Sequence, residues 1–282
     1  MKKNIIEEKR SNGFDNIPIP AKPKLLIDLH IELNKTDISI KNIAKIITHD
    51  PALSLEILKV VNSAFLGLPQ KVISIAHAIS LLGINTTVNI FTSYLLKSAV
   101  DKSGKKFPRF WDESFFIAQV SVFLARKLSF HSPDIAYALG LFHNMGIPVL
   151  GQISPDFLQT LSVENEQTDG VFTDLEDEKY DTNHAVIAAV ICDKWGLPES
   201  IIDIILNHHD VDAVLLSDDY SDDDKLLMCI LKIAEHFSNL QRKDDDVDWF
   251  RFKNHILKTT GYDELAIDAL FEEFVGLGIA ED

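Results

Sequence analysis

Histidines at the ends of helical segments are the residues of this sequence best suited to chemistry. Of the ten histidines, His143 ends one apolar helical segment, His184 begins another, and His208 and His209 end a third. Helix ends can converge in a bundle core, where neutral imidazoles could bind a transition metal. The alternative is that these imidazoles hydrogen-bond to carbonyl groups at helix ends, where the helix dipole also favours a positive charge.

The residue after His143 separates two kinds of site. In the stretch ALGLFHNMGIPVL, residues 138–150, His143 is followed by Asn144 and a Met-Gly turn. An aspartate at position 144 would give the His-Asp pair of a metal-dependent phosphohydrolase. Asparagine offers a neutral oxygen of the same shape, so the site would carry less negative charge and would generate a hydroxide nucleophile less readily. The stretch fits either an enzyme or a fold that has lost its chemistry.

Helices must position these histidines, because apolar residues recur with a helical period along almost the whole chain. No alternating strand, hairpin or strand-dependent nucleotide-binding motif is present, so the predicted fold is all-α. Short helices are predicted for residues 17 to about 105, and longer helices from Phe107 onward. The predicted boundaries are N-caps at Asp50 (before Pro51), Asn85 and Asn183, helix starts at Ser74 and Ser132-Pro133, and a helix end at Gly83.

The composition is typical of a globular protein, with 46% hydrophobic and 25% charged residues among 282. The N-terminal segment MKKNIIEEKRSNGF lacks the apolar run of a signal peptide, and no apolar stretch approaches the roughly 18 residues of a membrane helix. Cys192 and Cys229 are too isolated for a CxxC zinc motif and are predicted to be buried thiols. A reducing cytoplasm, without membrane attachment, is the expected location.

The formal charge of −16 argues against binding to nucleic acid, because such a chain repels phosphate backbones. Much of this charge is concentrated in three acidic runs, at residues 164–181, 217–224 and 243–248. We predict that these runs form solvated loops between helices. The alternative is an acidic surface for a basic partner.

Several motifs in a fixed order resemble the HDOD domain, the HD-related output domain of bacterial signalling proteins. The resemblance covers about residues 17–240 and implies a two-lobed all-α fold, with an N-terminal helical lobe at about 17–105 and an HD-like lobe at about 106–240. Residues 1–16 are then expected to form a flexible arm, and residues 241–282 a C-terminal helical extension. The motifs are DPALSLEILKVVNSAFLG, ISIAHAISLLG, FWDESFFIAQVSVFLARKL, ALGLFHNMGIPVL, NHAVIAAVICDKWGLPESIIDIILNHH and, more weakly, LKIAEHFSN.

The HD superfamily holds metal with histidines and aspartates from several helices, and the resemblance places that site on seven residues here. Four histidines persist, whereas three positions differ from the superfamily pattern. Glutamate replaces the first histidine ligand, asparagine replaces the paired aspartate, and glutamate replaces the closing aspartate. The corresponding residues are Glu113, His143, Asn144, His184, His208, His209 and Glu235.

These three changes together favour a degenerate site and a non-catalytic signalling module. Such a module would bind a signalling protein that acts in trans, or a small ligand, without nucleic acid or membrane. No cofactor is expected, although the histidines could hold an adventitious divalent transition metal. A second hypothesis is a metal-dependent phosphohydrolase with residual activity that uses His143, His184, His208 and His209. A third is a scaffold whose acidic loops bind a basic partner.

Overall fold

The computed structural model describes residues 19–63, 66–101, 105–164 and 172–277, and these residues form helices without any strand. The all-α prediction is therefore confirmed. The predicted flexible arm, residues 1–16, lies outside the described residues. Within the described residues, compactness divides the chain into two units, one of residues 21–99 and 272–277, the other of residues 19–20 and 100–271. The predicted lobe boundary near residue 105 and the extension from 241 stay predictions.

Five helices make up most of the first unit. Their apolar faces pack on one another, with α2 against α4 and α3 against α4. Buried residues that recur at helical spacing, such as Ile43 and Ile47, form the core. This packing is necessary because isolated helices of about ten residues are marginal in water. The five helices are α1 (Lys24–Leu33), α2 (Ile40–Thr48), α3 (Pro51–Val61), α4 (Ile75–Leu82) and α5 (Ile84–Asp101).

The predicted helix boundaries of this unit are correct with one exception. Asp50 accepts hydrogen bonds from the backbone N–H groups of residues 52 and 53, and Ser74 caps α4. Asn85 is not an N-cap, because α5 already begins at Ile84. Gly83 makes the turn alone with a φ of +81°, so no separate capping residue is needed between α4 and α5.

Eleven further helices are described from residue 108 onward. The central pair is α6 with α7, and α14 packs against both; α11 packs on α8 and α12, and α15 on α14. They are α6 (Pro108–Lys127), α7 (Pro133–Phe142), α8 (Gly146–Ile153), α9 (Phe157–Glu164), α10 (Asp174–Tyr180), α11 (His184–Trp195), α12 (Glu199–Asn207), α13 (Val211–Leu215), α14 (Asp222–Arg242), α15 (Val247–Thr260) and α16 (Glu264–Gly276).

Two glycines allow the close packing on which the histidine positions depend. A Cβ on Gly140 would lie 2.7 Å from Ser121 Oγ and 2.9 Å from the Cα of Ala118, so only glycine lets α7 approach α6 this closely. A Cβ on Gly146 would lie 2.0 Å from the backbone oxygen of His184. The turn after α7 is thereby pressed against the start of α11, which brings the two ends together.

Two helix starts and the burial of both cysteines agree with the sequence-based predictions. Pro133 begins α7, and Asn183 caps α11 by accepting the backbone N–H of Val186, both as predicted. Cys192 and Cys229 are buried free thiols, also as predicted, and burial raises the pKa of Cys229 to about 12. Among the described residues no single helix is long and apolar enough to cross a membrane, although the bent pair α4 and α5 meets that criterion when its two helices are taken together.

Candidate metal and ligand site

The four histidines at helix ends converge in one buried cluster. His143 follows α7, His184 begins α11, and His208 and His209 follow α12. The ring centroids of His143 and His208 are 5.3 Å apart, and those of His184 and His209 are 4.9 Å apart. All four residues are less than a tenth exposed. The structure thus brings together residues that are up to 66 positions apart in the numbering, from 143 to 209.

Three of these imidazoles are oriented by hydrogen bonds from Nδ1. His143 Nδ1 donates to the backbone oxygen of Gly140 at 3.0 Å, and His208 Nδ1 donates to that of Ile205 at 2.6 Å. His184 Nδ1 donates to a buried carboxylate at 2.7 Å. Each ring therefore presents Nε2 to the interior of the cluster. Metal-binding histidines are commonly oriented in this way, because the second nitrogen fixes the tautomer and the ring plane.

His184, His208 and His209 fit a single transition-metal ion. One ligand atom from each lies within 4.8 Å of the others, and His184 Nε2 is 2.9 Å from His209 Nε2. Burial lowers the pKa of His209 to about 4 and that of His208 well below its ordinary value. Both rings are therefore neutral near pH 7, as metal ligation requires. Without a metal, the 2.9 Å contact requires a proton on one of its two nitrogens.

The carboxylate that orients His184 belongs to Glu176, which the sequence analysis did not identify. Glu176 is fully buried; its Oε2 accepts the backbone N–H of His184 at 2.6 Å, while Oε1 accepts from the ring. Burial alone would raise the pKa of Glu176, but His184 holds it below its ordinary value. The acidic run 164–181 is thus not only a solvated loop, and that prediction is wrong at this position. Its residues 165–171 lie outside the described residues.

A second carboxyl group of the same run is also buried. Glu164 Oε1 accepts the backbone N–H of Glu176 at 2.9 Å. Burial raises the pKa of Glu164 to about 8, so this group is mainly protonated at neutral pH. The expectation of a solvent-facing run fails here for a physical reason. A buried acid is tolerated when it is hydrogen-bonded and neutral, or when it is paired with a cation.

Lys232 lies beside the histidines and forms an inner ion cluster with Glu235 and Asp248. Its Nζ is 2.8 Å from Glu235 Oε2 and 2.9 Å from Asp248 Oδ2, and its side chain is only 4% exposed. Burial alone would lower the pKa of Lys232, but the two carboxylates hold it above its ordinary value. Burial would likewise raise the pKa of Glu235, but the ammonium group lowers it to about 2. All three groups are therefore charged near pH 7.

The inner ion cluster also contacts two of the histidines. Glu235 Oε1 lies 3.2 Å from His143 Nε2, and Asp248 Oδ2 lies 3.4 Å from His209 Nδ1. Neither ring nitrogen makes a hydrogen bond of acceptable geometry at these distances. Glu235, predicted to close the metal site, is thus adjacent to the histidines, but it is already paired with Lys232.

The other two predicted positions differ in their relation to the histidines. Asn144 Oδ1 lies 3.1 Å from His208 Nε2, so Asn144 is part of the cluster. Glu113 instead pairs with Arg242, which also pairs with Asp244, and we call these three residues the outer ion cluster. With a side chain 38% exposed, Glu113 belongs to the rim of the site and not to its interior.

A cavity of about 500 Å³ adjoins the histidine cluster and both ion clusters. The acidic run 243–248, expected as a solvated loop, contributes to its wall, since Asp246 is buried and Asp248 half-buried. The lining residues are Phe110, Glu113, Ser114, Ile117, His143, Asn144, Ile147, Leu161, Ser162, Phe172, His184, His209, Lys232, Glu235, Asn239, Arg242, Asp244, Asp245, Asp246, Val247, Asp248 and Trp249.

Comparison with known families places most of the chain in one of them. The family model of the HDOD domain matches residues 19–211. An uncharacterised protein of Treponema pallidum (strain Nichols) is 25% identical over 194 residues, which are 68% of this chain and 38% of that protein. The chain therefore spans less than two-fifths of the length of this curated relative.

Solved structures show the same fold at low sequence identity. An HDOD domain protein of unknown function from Geobacter sulfurreducens gives a TM-score of 0.71 at 20% identity, with 98% of this chain and 97% of that chain covered. A protein of Shewanella amazonensis SB2B, provisionally named a phosphohydrolase, gives 0.71 at 22% identity, with 98% and 96% covered. At these identities the likeness shows the fold alone.

Proposed function

Because the chain belongs to the HDOD family, we propose that it is a regulatory module of bacterial signal transduction that binds a protein partner or small ligand and catalyses no hydrolysis. The observation that carries this proposal is Lys232. Its buried ammonium group pairs with both Glu235 and Asp248, the carboxylates that contact the histidine cluster, and offsets one of their two negative charges. A covalently attached cation at this place competes with any divalent ion that these carboxylates would otherwise attract. It also leaves neither of them free to act as a general base.

Asn144 supports the same proposal. Its side chain can turn to offer an amide N–H to the neutral His208 Nε2, which lies 3.1 Å from the amide oxygen. An aspartate at this position would need a proton or a metal ion between its oxygen and that nitrogen. Asparagine therefore lets His208 Nε2 make a hydrogen bond without a metal.

The triad of His184, His208 and His209 favours a second candidate function, a residual phosphohydrolase. These three residues would hold one ion through Nε2, and such an ion would supply Lewis-acid chemistry when bound. The hydrogen bond from His184 Nδ1 to Glu176 would orient this ring toward such an ion. Metal content alone does not separate the two functions, because imidazoles also bind transition metals adventitiously.

A hydrolysis screen distinguishes the non-catalytic module from the residual phosphohydrolase. The purified chain, supplied in turn with manganese, iron or nickel, is expected to show no turnover of cyclic dinucleotides or nucleotide phosphates above background. His143→Ala removes an imidazole of the cluster, and the exposed His77→Ala is the matched control in the other unit. Metal-dependent turnover that is lost in His143→Ala and retained in His77→Ala would refute the non-catalytic proposal.

A further inference from the structure

The first unit differs in charge from the chain as a whole. Its residues 21–99 contain eight lysines and five acidic residues, whereas the whole chain carries a formal charge of −16. Complementary charges steer and orient partners at an interface. A surface of this unit therefore suits an acidic partner better than a basic one.

The outer face of α1 carries apolar side chains, as its inner face does. Leu26 and Leu29 are buried within the unit, as expected of a surface helix. Ile27 and Ile31 lie one helical turn apart on the opposite side, and they are 45% and 58% exposed. A helix that is apolar all round is normally covered all round. Within the described residues, only the inner face of α1 is covered.

A buried carboxylate holds the start of α2 beside this apolar stripe. Glu32 accepts the backbone N–H of Ser39 at 3.3 Å and the side-chain amide of Asn42 at 3.0 Å. Ile31 directly precedes Glu32, and Ile38 directly precedes Ser39, so both isoleucines flank the same junction. Ile38 is 40% exposed. The exposed apolar surface thus continues from α1 onto the turn before α2.

Three exposed lysines border this apolar surface. Lys24 lies one turn before Ile27 on the outer side of α1. Lys41 and Lys45 lie one turn apart on α2, on the side opposite to the buried Ile43. Among the described residues, none of the three lysines has an ion-pair partner. Such ammonium groups beside an apolar stripe can pair with carboxylates of a second helix, as in coiled coils.

Acidic side chains nearby do not cancel this charge. Glu32 is buried and already pairs with Lys35, and Asp28 is half-buried. Asp37 is exposed, but it stands against three exposed lysines. We call the exposed isoleucines and lysines together the α1 face, which consists of Lys24, Ile27, Ile31, Ile38, Lys41 and Lys45.

From the apolar stripe and the lysines beside it, we infer that the α1 face binds an acidic amphipathic helix of a partner protein. Aliphatic side chains three and four residues apart on that helix would pack on Ile27 and Ile31. Carboxylates beside them would pair with the lysines. The inference rests on the proposed function, since it names the surface and the chemistry of the protein partner.

Two other occupants fit the α1 face less well. Residues 1–18 lie outside the described residues, and their four basic and three acidic side chains do not complement the lysines. A nucleic acid offers no aliphatic groups to the isoleucines. Three lysines are also few for holding a phosphate backbone against a chain charge of −16.

Fluorescence anisotropy with a designed peptide tests the inference on the full chain. The probe is a fluorescein-labelled helical peptide of about five turns, with leucines three and four residues apart on one face and glutamates beside them. A second peptide has the same composition, with its leucines scattered around the helix. At physiological salt, where screening over about 8 Å weakens repulsion by the rest of the chain, we expect saturable binding of the first peptide only. Absence of that binding, or equal binding of both peptides, would overturn the inference.

Matched variants locate the binding surface. Ile31→Ala is expected to lower the affinity for the peptide roughly tenfold, and Lys41→Glu roughly fivefold. The controls lie in the other unit, where Leu265→Ala shortens a side chain that is 79% exposed and Lys258→Glu reverses an exposed charge. Both controls should leave the affinity unchanged. Losses as large in the controls as in the α1-face variants would contradict the inference.

Two further measurements test for a different occupant of the α1 face. Sedimentation equilibrium detects a second copy of the chain, and co-sedimentation with phosphatidylglycerol vesicles detects an anionic membrane. Dimers that dissociate in Ile31→Ala, or vesicle binding that Ile31→Ala abolishes, would assign the face to that occupant and overturn the inference. The non-catalytic proposal stands in each case, since only metal-dependent turnover contradicts it.

Discussion

Lys232, which the sequence did not reveal as a site residue, is the cation of the inner ion cluster. Its ammonium group pairs with both Glu235 and Asp248 in a place with little solvent. Lys232→Met keeps an unbranched side chain but leaves two buried or half-buried carboxylates without their cation. Because breaking a buried ion pair strands uncompensated charge, we expect the free energy of unfolding to fall by about 3 kcal/mol. Urea denaturation at pH 7 measures this loss.

The control for this substitution is Lys258→Met on α15, which removes an exposed ammonium group. Exposed substitutions of this kind change stability by about 0.5 kcal/mol or less. If Lys232→Met were no more destabilising than Lys258→Met, the carboxylates would not depend on Lys232. The account of the inner ion cluster would then be wrong.

The site residues that the sequence reveals lie at helix ends, whereas those it does not reveal join the site through the packing of helices on one another. His143, His184, His208 and His209 could be identified because each stands at a helix end, a position that local spacing reveals. Glu176 could not, because its contact with His184 depends on how α10 packs beside α11. Lys232 and Asp248 were missed for the same reason. They meet across two helices, and no spacing rule distinguishes them from the many charged residues at the surface.

At the scale of elements, a small buried cluster of Asp246, His236 and Trp249 joins the start of α15 to α14. Asp246 Oδ1 accepts the backbone N–H of Trp249 at 2.9 Å, and Asp246 Oδ2 accepts from His236 Nδ1 at 2.8 Å. The rings of His236 and Trp249 stack with centroids 4.1 Å apart and planes 9° apart. One aspartate therefore caps a helix and pairs with the helix before it, and Asp246 and Trp249 both line the cavity.

Asp246→Ala should consequently loosen α15. Loss of an N-cap costs about 1 kcal/mol, and leaving the buried His236 without its acceptor adds about 1 to 2 kcal/mol. We expect the free energy of unfolding to fall by about 2 to 3 kcal/mol, with faster amide hydrogen exchange across Val247–Thr260. Denaturation in urea and exchange followed by mass spectrometry give the two quantities.

Asp263→Ala provides the comparison, because Asp263 Oδ1 caps α16 by accepting the N–H of Ala266 in an exposed place. This variant should lose only the capping term, about 1 kcal/mol. Equal losses in Asp246→Ala and Asp263→Ala would mean that the buried pairing with His236 contributes nothing to stability.

Helix boundaries such as these are largely predictable from the sequence, since caps depend on local residues. The prediction of Asn85 as an N-cap is wrong because Gly83 alone makes the turn between α4 and α5.

For the whole molecule, the sequence predicts the all-α fold class. It does not predict which acidic side chains are buried. A helical period over nearly the whole chain excludes a sheet without knowledge of any contact. Whether an acidic run faces solvent depends on what lies next to it. Glu164 and Glu176 are buried, whereas Asp219 and Asp222 are exposed, although both groups lie in acidic runs.

The charge of the whole chain gives the last prediction, which concerns nucleic acid. Lysine and arginine number 27 against 43 acidic residues, which gives −16, and the two basic residues of the cavity are already paired. Non-specific DNA binding depends on free basic groups that displace counterions from phosphates. We therefore expect no binding of a labelled random duplex at physiological salt up to roughly 100 μM protein, measured by fluorescence anisotropy. Lowering the salt should not produce binding either, because repulsion grows as screening falls. Tight binding that weakens as salt is added would show a basic surface that this charge distribution does not provide.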